Sequence, residues 1–356
     1  MTMKKNIFFY AALAAVTALA AVSCTKQENN PKPQGATGYY VLNNGSFKMN
    51  NSSVTIYNSD EKVTAAGVFA AANGKELGDT AQDILVSGDD VFISVNVSKI
   101  IFVTDRNLKI KKEIVAKLPD GSTLSPRYLA QGPEGKVYVT YYEGYLGEIS
   151  ASDYSVRVTP VGASPEGCAY SSGRVFVSNS GGANYPNYEK TVSVVDAESL
   201  RESDRIEVNV NPATMVASGD IIYLFSIGDY GASPAKVQSI SATSLEIKDL
   251  DCTSPTAIAL SGNTLYVMCG GYAADYTPLP ATIYKYNAAD GKRIGEFVTD
   301  GTSLPNAYSL SATDDFVWVG CSDYKNNGDM YVFTKDGKLY DKFDTQGINP
   351  IKVAAR

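Results

Sequence analysis

The chain contains no histidine. That one absence removes Ser-His-Asp nucleophilic catalysis, imidazole general-base chemistry and every histidine-ligated metal site. Cysteine is sparse, and Cys168, Cys252, Cys269 and Cys321 lie 84, 17 and 52 residues apart, which fits no zinc signature. Buried free thiols are expected there, with any pairing left open. Basic clusters are missing too: 31 Lys and Arg face 38 Asp and Glu, for a net charge of −7. An acidic body without a basic patch argues against nucleic acid as a partner. Long amphipathic helical spacing is absent, and no apolar run reaches the roughly 20 residues that a membrane span needs.

What the N-terminus does have is a short apolar run, IFFYAALAAVTALAAV (7–22), behind the positive start MTMKK. This pattern reads as a cleaved signal segment, residues 1–23. Ala21-Val22-Ser23-Cys24 resembles a bacterial lipobox, which implies lipidation of Cys24 as the first residue of the mature chain. Losing Met1–Ser23 removes Lys4 and Lys5 and takes the net charge from −7 to −9. Residues 24–37, TKQENNPKPQGAT after the cysteine, are polar and proline-containing and read as a flexible tether. Membrane contact is expected through the lipid alone.

From residue 38 onward the chain repeats itself. SPTAIALSGNTLYVMC (254–269) has counterparts in NPATMVASGDIIYLFS (211–226), SPEGCAYSSGRVFVSN (164–179), LSPRYLAQGPEGKVYVTY (124–141) and LPNAYSLSATDDFVWVGC (304–321). TAQDILVSGDDVFISVN (80–96) follows the same plan without its proline. Prolines 126, 165, 212, 255, 305 and 350 stand 39, 47, 43, 50 and 45 residues apart, the period of a four-stranded propeller blade. Each unit reads as a small-residue strand A, an aromatic and β-branched strand B, an alternating strand C and an outer strand D. INPIKVAAR (348–356) is a strand A with nothing after it, and GYYVLNNG, SSVTIYNS and KVTAAGVF (38–69) are strands B, C and D with nothing before them. The two remnants complete one blade. The expected fold is all-β: one domain over 38–356, a seven-bladed β-propeller closed by pairing its N- and C-terminal strands.

In such a ring the A–B and C–D turns share one face, and the B–C and D–A connections share the other. Here the A–B and C–D turns are short, whereas the B–C connections NNGSFKMNNS, YYEGYLG, NSGGANYPNYEK, SIGDYGASPA, GGYAADYTPLP and CSDYKNNGDM read as long. Those stretches hold nine of the 24 tyrosines. Tyrosine joins a rigid apolar face to a hydroxyl, and glycine and asparagine add adaptable polar contacts, the mixture that binding loops use. Expected ligand contacts are Asn43, Phe47, Tyr142, Tyr145, Tyr185, Tyr188, Asp229, Tyr230, Tyr272, Asp275, Tyr276 and Tyr324. Loop carboxylates Glu143, Glu189, Asp229, Asp275 and Asp323 present no spacing that selects an acid/base pair, and no catalytic role and no metal are assigned.

The lipobox Cys24, the opening YYVLNNGSF (39–47) and the run FAAANGKELGDTAQDILVSGDDVFISVN (69–96) resemble the lipidated YncE-like seven-bladed propellers of Bacteroidota, among them the BtuG-type corrinoid-binding surface lipoproteins. The resemblance implies an outer-membrane, cell-surface protein. It would hold a corrinoid as ligand, with no resident cofactor, and pass it to a TonB-dependent transporter of BtuB type. A corrinoid is a broad flat molecule edged with amides, which a wide mouth of Tyr, Asn and Asp suits. Without histidine, recognition would rest on shape and hydrogen bonds rather than cobalt ligation. A glycan or another nutrient, and a protein-interaction platform, are the competing readings of the same face.

Overall fold

Strands B read as almost unbroken apolar runs (YYVL, VFISV, VFVS, IIYLF) because both faces of each blade are covered by neighbouring blades. A computed structural model of the protein describes residues 37–272 and 277–356. They belong to one unit, Gly35–Arg356, and form seven four-stranded antiparallel sheets. The expected signal segment and Cys24, and the tether apart from Thr37, lie outside the described residues, as do Asp275 and Tyr276.

The seven inner strands are Ala81–Ser87, Pro126–Gln131, Pro165–Ser171, Pro212–Ser218, Pro255–Ser261, Ala307–Ala312 and Pro350–Ala355. The last belongs to blade one, where it pairs with Gly38–Asn43 and so joins the two ends of the chain in one sheet. The predicted closure is therefore present, and blades two to seven follow in chain order. No sheet is left open by the seam.

Seven apolar clusters fill the interfaces between successive blades, one at each junction. The two-residue period of a strand decides which cluster each side chain joins. In the first strand, Tyr40 and Leu42 pack toward blade two, while Tyr39 and Val41 pack toward blade seven. The seam cluster also holds Trp318, fully buried and 4.7 Å from the Tyr39 ring, together with Tyr57, Phe316 and Val353. Its polar atoms are matched: Tyr39 Oη donates to Asp315 at 2.8 Å, Tyr57 Oη to Asp341 at 2.7 Å and Trp318 Nε1 to Thr313 Oγ1 at 3.1 Å.

Three local expectations change. The outer strand of blade one ends early, at Val63–Ala65, and Val68–Asn73 forms a short helix that lays Phe69 against Phe102. In blade seven the inner strand starts at Ala307, not at Pro305, because Asn306 takes the left-handed corner that precedes the strand in five other blades. The B–C connection of blade three is only Tyr142-Glu143-Gly144, since Tyr141 and Tyr145 already pair as the last rung of the hairpin. Tyr141 is buried and Tyr145 packs on the core, so the strands run on for as long as their side chains find cover.

The long-loop face as candidate functional site

The residue just before the inner strand has a left-handed backbone in six blades: Thr80, Ser164, Asn211, Ser254, Asn306 and Asn349, with φ from +46° to +60°. Such corners cost about 1–2 kcal/mol in L-residues, and a recurring hydrogen bond holds them. In every blade an N–H at the end of strand B donates to the carbonyl of the corner residue, Asn44 to Asn349, Asn96 to Thr80, Tyr142 to Ser125, Ser180 to Ser164, Ile227 to Asn211, Gly270 to Ser254 and Ser322 to Asn306, at 2.9–3.2 Å. The base of each B–C hairpin is thus clipped to the ring, and loops standing on that base are mounted on a rigid support.

Nine large apolar or aromatic side chains are exposed among the described residues, and six of them sit on these hairpins: Phe47, Met49, Tyr185, Tyr230, Leu279 and Tyr324. The remaining three, Val63, Val115 and Ile294, are in outer strands or just past one. Exposed apolar and aromatic side chains gathered on one face mark a candidate interaction surface.

Each display is built by its own loop. In blade one, Asp79 accepts the N–H groups of Lys48 (3.0 Å) and Asn50 (3.3 Å), both at positive φ, and the fixed loop turns Phe47 and Met49 outward, each 66% exposed. In blade five, Asp229 Oδ1 accepts Gly231 N and Ser233 N at 2.8 and 2.9 Å, and Tyr230, between Asp229 and Gly231, stands at φ +59° and 77% exposed. Blade seven repeats the device: Asp323 Oδ1 accepts Lys325 N and Asn326 N at 2.9 and 2.8 Å, Tyr324 sits at φ +65°, and these bonds hold the Asp323 carboxyl down at about 2. An aromatic residue held left-handed is a strained arrangement that argues for a reason to display it. In sequence the same Asp-Tyr pair recurs at Asp275-Tyr276.

The tyrosines form two groups. Tyr188 stands between Tyr185 (5.9 Å) and Tyr230 (6.3 Å), which makes a ladder across blades four and five, and Tyr324 meets Tyr308 edge-on at 5.4 Å. Tyr142, half-buried, carries the Arg127 guanidinium 5.2 Å over its ring. In a seven-membered ring, blade one lies across the axis from blades four and five, so the loop that carries Phe47 and Met49 is opposite the loops that carry the tyrosine ladder.

Two expected contacts are scaffold instead. Asn43 is fully buried at the end of its strand, and its Nδ2 donates to Ser53 Oγ (3.1 Å) and Thr55 Oγ1 (3.3 Å). Asn179 does the same in blade four, with Thr191 and Ser193. A Cβ added to Gly347 would come within 2.4 Å of the Asn43 amide. Asp229 shapes its loop rather than facing outward as a free carboxylate. Glu143 is likewise engaged, accepting Ser125 N and Ser125 Oγ at 2.8 and 2.7 Å. GGYAADYTPLP is not a loop at its two ends: after a bulge, Gly271 pairs with Leu279 and Tyr272 with Pro278, so the β-hairpin runs on for two more paired positions. The described cysteines are free thiols, and burial pushes Cys269 and Cys321 up to about 12, which makes them inert packing groups.

Sequence reasoning passed over the mouth of the axis. Asp83, Arg127, Tyr128, Glu166, Tyr308 and Lys352 all occupy the second or third place of an inner strand, at the end facing the long loops. Arg127 Nε donates to Glu166 Oε2 at 3.1 Å, and Lys352 Nζ lies 3.9 Å from Asp83 Oδ1. Burial pushes the Glu166 and Asp83 carboxyls up, against the pull of Arg127 and Lys352 respectively. The visible signal was charge directly after the repeat proline, in SPR and SPEG, where strand A otherwise carries small residues.

A ring of seven clipped blades defines a seven-bladed β-propeller, with exposed aromatic side chains gathered on the loops of one face. No family model and no curated protein sequence matches the chain. Among solved structures it is similar to a quinoprotein alcohol dehydrogenase-like protein from Bacteroides thetaiotaomicron, with 18% identity over 90% of this chain and 78% of that one and a TM-score of 0.64. A functionally unknown protein from Desulfotomaculum acetoxidans matches at 13% identity, 90% and 98% coverage and TM-score 0.60. The dihydro-heme d1 dehydrogenase NirN matches at 11% identity, 91% and 77% coverage and TM-score 0.58. Identities this low establish the shared propeller fold and nothing about ligand or reaction.

Proposed function

We propose that the protein captures a broad, flat nutrient ligand, a corrinoid, on the long-loop face and hands it to a TonB-dependent outer-membrane transporter of BtuB type. The observation that carries this reading is the gathering of exposed Phe47, Met49, Tyr185, Tyr230, Leu279 and Tyr324 on clipped hairpins around one mouth. A wide ring of aromatics suits a ligand with a large apolar face, and the polar mouth suits an edge of amides. Rigid loops lower the ordering cost of binding. Lipidation at Cys24 would keep the protein on the outer membrane, at the cell surface, where capture is useful.

Visible-absorbance titration with cyanocobalamin tests the ligand directly. A saturable spectral change that weakens in Tyr230→Ala and Tyr185→Ala supports the reading, and no change at high micromolar ligand overturns it. The Tyr185–Tyr188–Tyr230 ladder favours a second reading, stacking on sugar rings, and oligosaccharide binding that is lost in the same variants would replace the first. Cys24→Ala should release the protein from membranes, and a variant still sedimenting with them would refute the anchor.

A further inference from the structure

Below the aromatic rim an axial cavity of about 440 Å3 runs between the inner strands of all seven blades. Its deeper wall is apolar, with Leu129, Met215, Ile258, Leu310 and Val353. Most of its polar lining, Asp83, Tyr128, Thr214, Thr256, Tyr308, Ser309 and Lys352, comes from the second or third residue of six of the strands and lies at the long-loop end, with Ser311 further along. Every inner strand slips register against its neighbour within its first four residues. Bulges of this kind re-aim side chains, and here seven of them ring the mouth.

The charges at the mouth cancel. Lys352 faces Asp83, and Arg127 is bonded to Glu166 beside them. A ligand carrying net charge would meet its own sign as closely as the opposite one, and would gain little over water. A neutral group that both donates and accepts meets a partner for each function: its oxygen can accept from Lys352, and its N–H can donate to the second lone pairs of Asp83. A primary amide on a short apolar stem has this chemistry, and the stem would continue into the apolar wall.

We propose that the long-loop end of the axial cavity is a subsite for a neutral, primary-amide-bearing arm of the ligand seated on the rim. The inference rests on the reading of that rim as a binding face, and it names the part of the ligand that enters the ring.

Saturation-transfer NMR with hexanamide, hexanoate and hexylamine tests the subsite on the whole propeller, without reference to any larger ligand. Hexanamide should bind at least tenfold more tightly than either ion, and Thr214→Phe, which fills the cavity, should abolish its signal. Lys352→Met should weaken hexanamide and admit hexylamine, since Asp83 then stands uncompensated; this reads the same site if Thr214→Phe does not fold. Equal binding of the ions, or hexanamide binding that survives both variants, overturns the proposal. Cyanocobalamin titrated in parallel separates the two readings. If hexanamide binds and cyanocobalamin does not, the corrinoid falls and the subsite stands. If cyanocobalamin binds the parent and Thr214→Phe equally well, the subsite falls and the corrinoid stands.

Discussion

Removing residues 348–356 takes away the inner strand of blade one and with it the joint between the chain's two ends. The strand makes five paired positions with Gly38–Asn43, worth roughly 5 kcal/mol at about 1 kcal/mol per net hydrogen bond. Buried Val353 and half-buried Ile351 add about 1.5–3 kcal/mol for a fully covered side chain and less for a partly covered one. The total, on the order of 8 kcal/mol, is comparable to the whole stability of an ordinary domain, about 5–15 kcal/mol. Trp318 is the chain's only tryptophan and lies inside the seam cluster, so its emission reports on this joint. The truncated protein should show red-shifted emission in buffer and no cooperative urea transition. Val353→Ala is the graded version: it empties part of the same cluster and should cost about 1–3 kcal/mol, seen as an earlier midpoint with native emission retained in buffer. A truncated chain with unshifted emission and the parent's urea midpoint would refute the closed ring as the source of stability.

Asp229→Ala and Asp323→Ala should leave the melting temperature within a degree or two, because both side chains lie in exposed loops, yet weaken ligand binding several-fold by releasing Tyr230 and Tyr324 from their displayed conformations; unchanged affinity by titration would make the two tyrosines mere surface. Replacing residues 270–280 with Asn-Gly should spare the fold, since the Cys269–Thr282 rung remains to carry a tight turn, and should weaken binding; full affinity would remove this hairpin from the site. Burial lowers Lys335 to about 8, with Asp314 and Asp315 opposing. Between pH 8 and 10.5 the unfolded chain then binds more protons than the folded one, so the penalty of the buried charge is fully present below about 8 and fades as pH rises. Lys335→Met should therefore gain most in melting temperature at pH 7 and least near pH 10, and a pH-independent difference would refute the assignment.

The ring was legible because a propeller writes its period into the chain: the strand A unit returns seven times, six of them with a proline, and the two orphan ends could only complete one another. The long-loop face followed from connectivity alone. Side-chain roles within that face were less legible. Asn43 and Tyr230 look alike as loop polar residues in sequence, but one is sealed by Gly347 and two hydroxyls while the other is held out by Asp229. Hairpin length misled at YYEGYLG and GGYAADYTPLP, because a strand continues wherever pairing or cover continues, whatever its turn-forming composition. Arg127, Glu166, Asp83 and Lys352 were hidden by the expectation that strand A is small and apolar, and only the bulges show how charge fits there.

Strand Gly38–Asn43 begins at the short-turn face and ends at the long-loop face, and Arg356, whose N–H donates to the Gly38 carbonyl at 2.8 Å, ends the chain beside that beginning. Both ports of the ring therefore open on the side away from the aromatic mouth, about 20 Å behind it for a six-residue strand. Anything joined to the ring through either port, whether a tether, a fused reporter or a sensor-chip linkage, pulls from the back. Such a protein can be held by its ends and still offer its whole front to solution, so immobilisation through either terminus should orient every copy the same way.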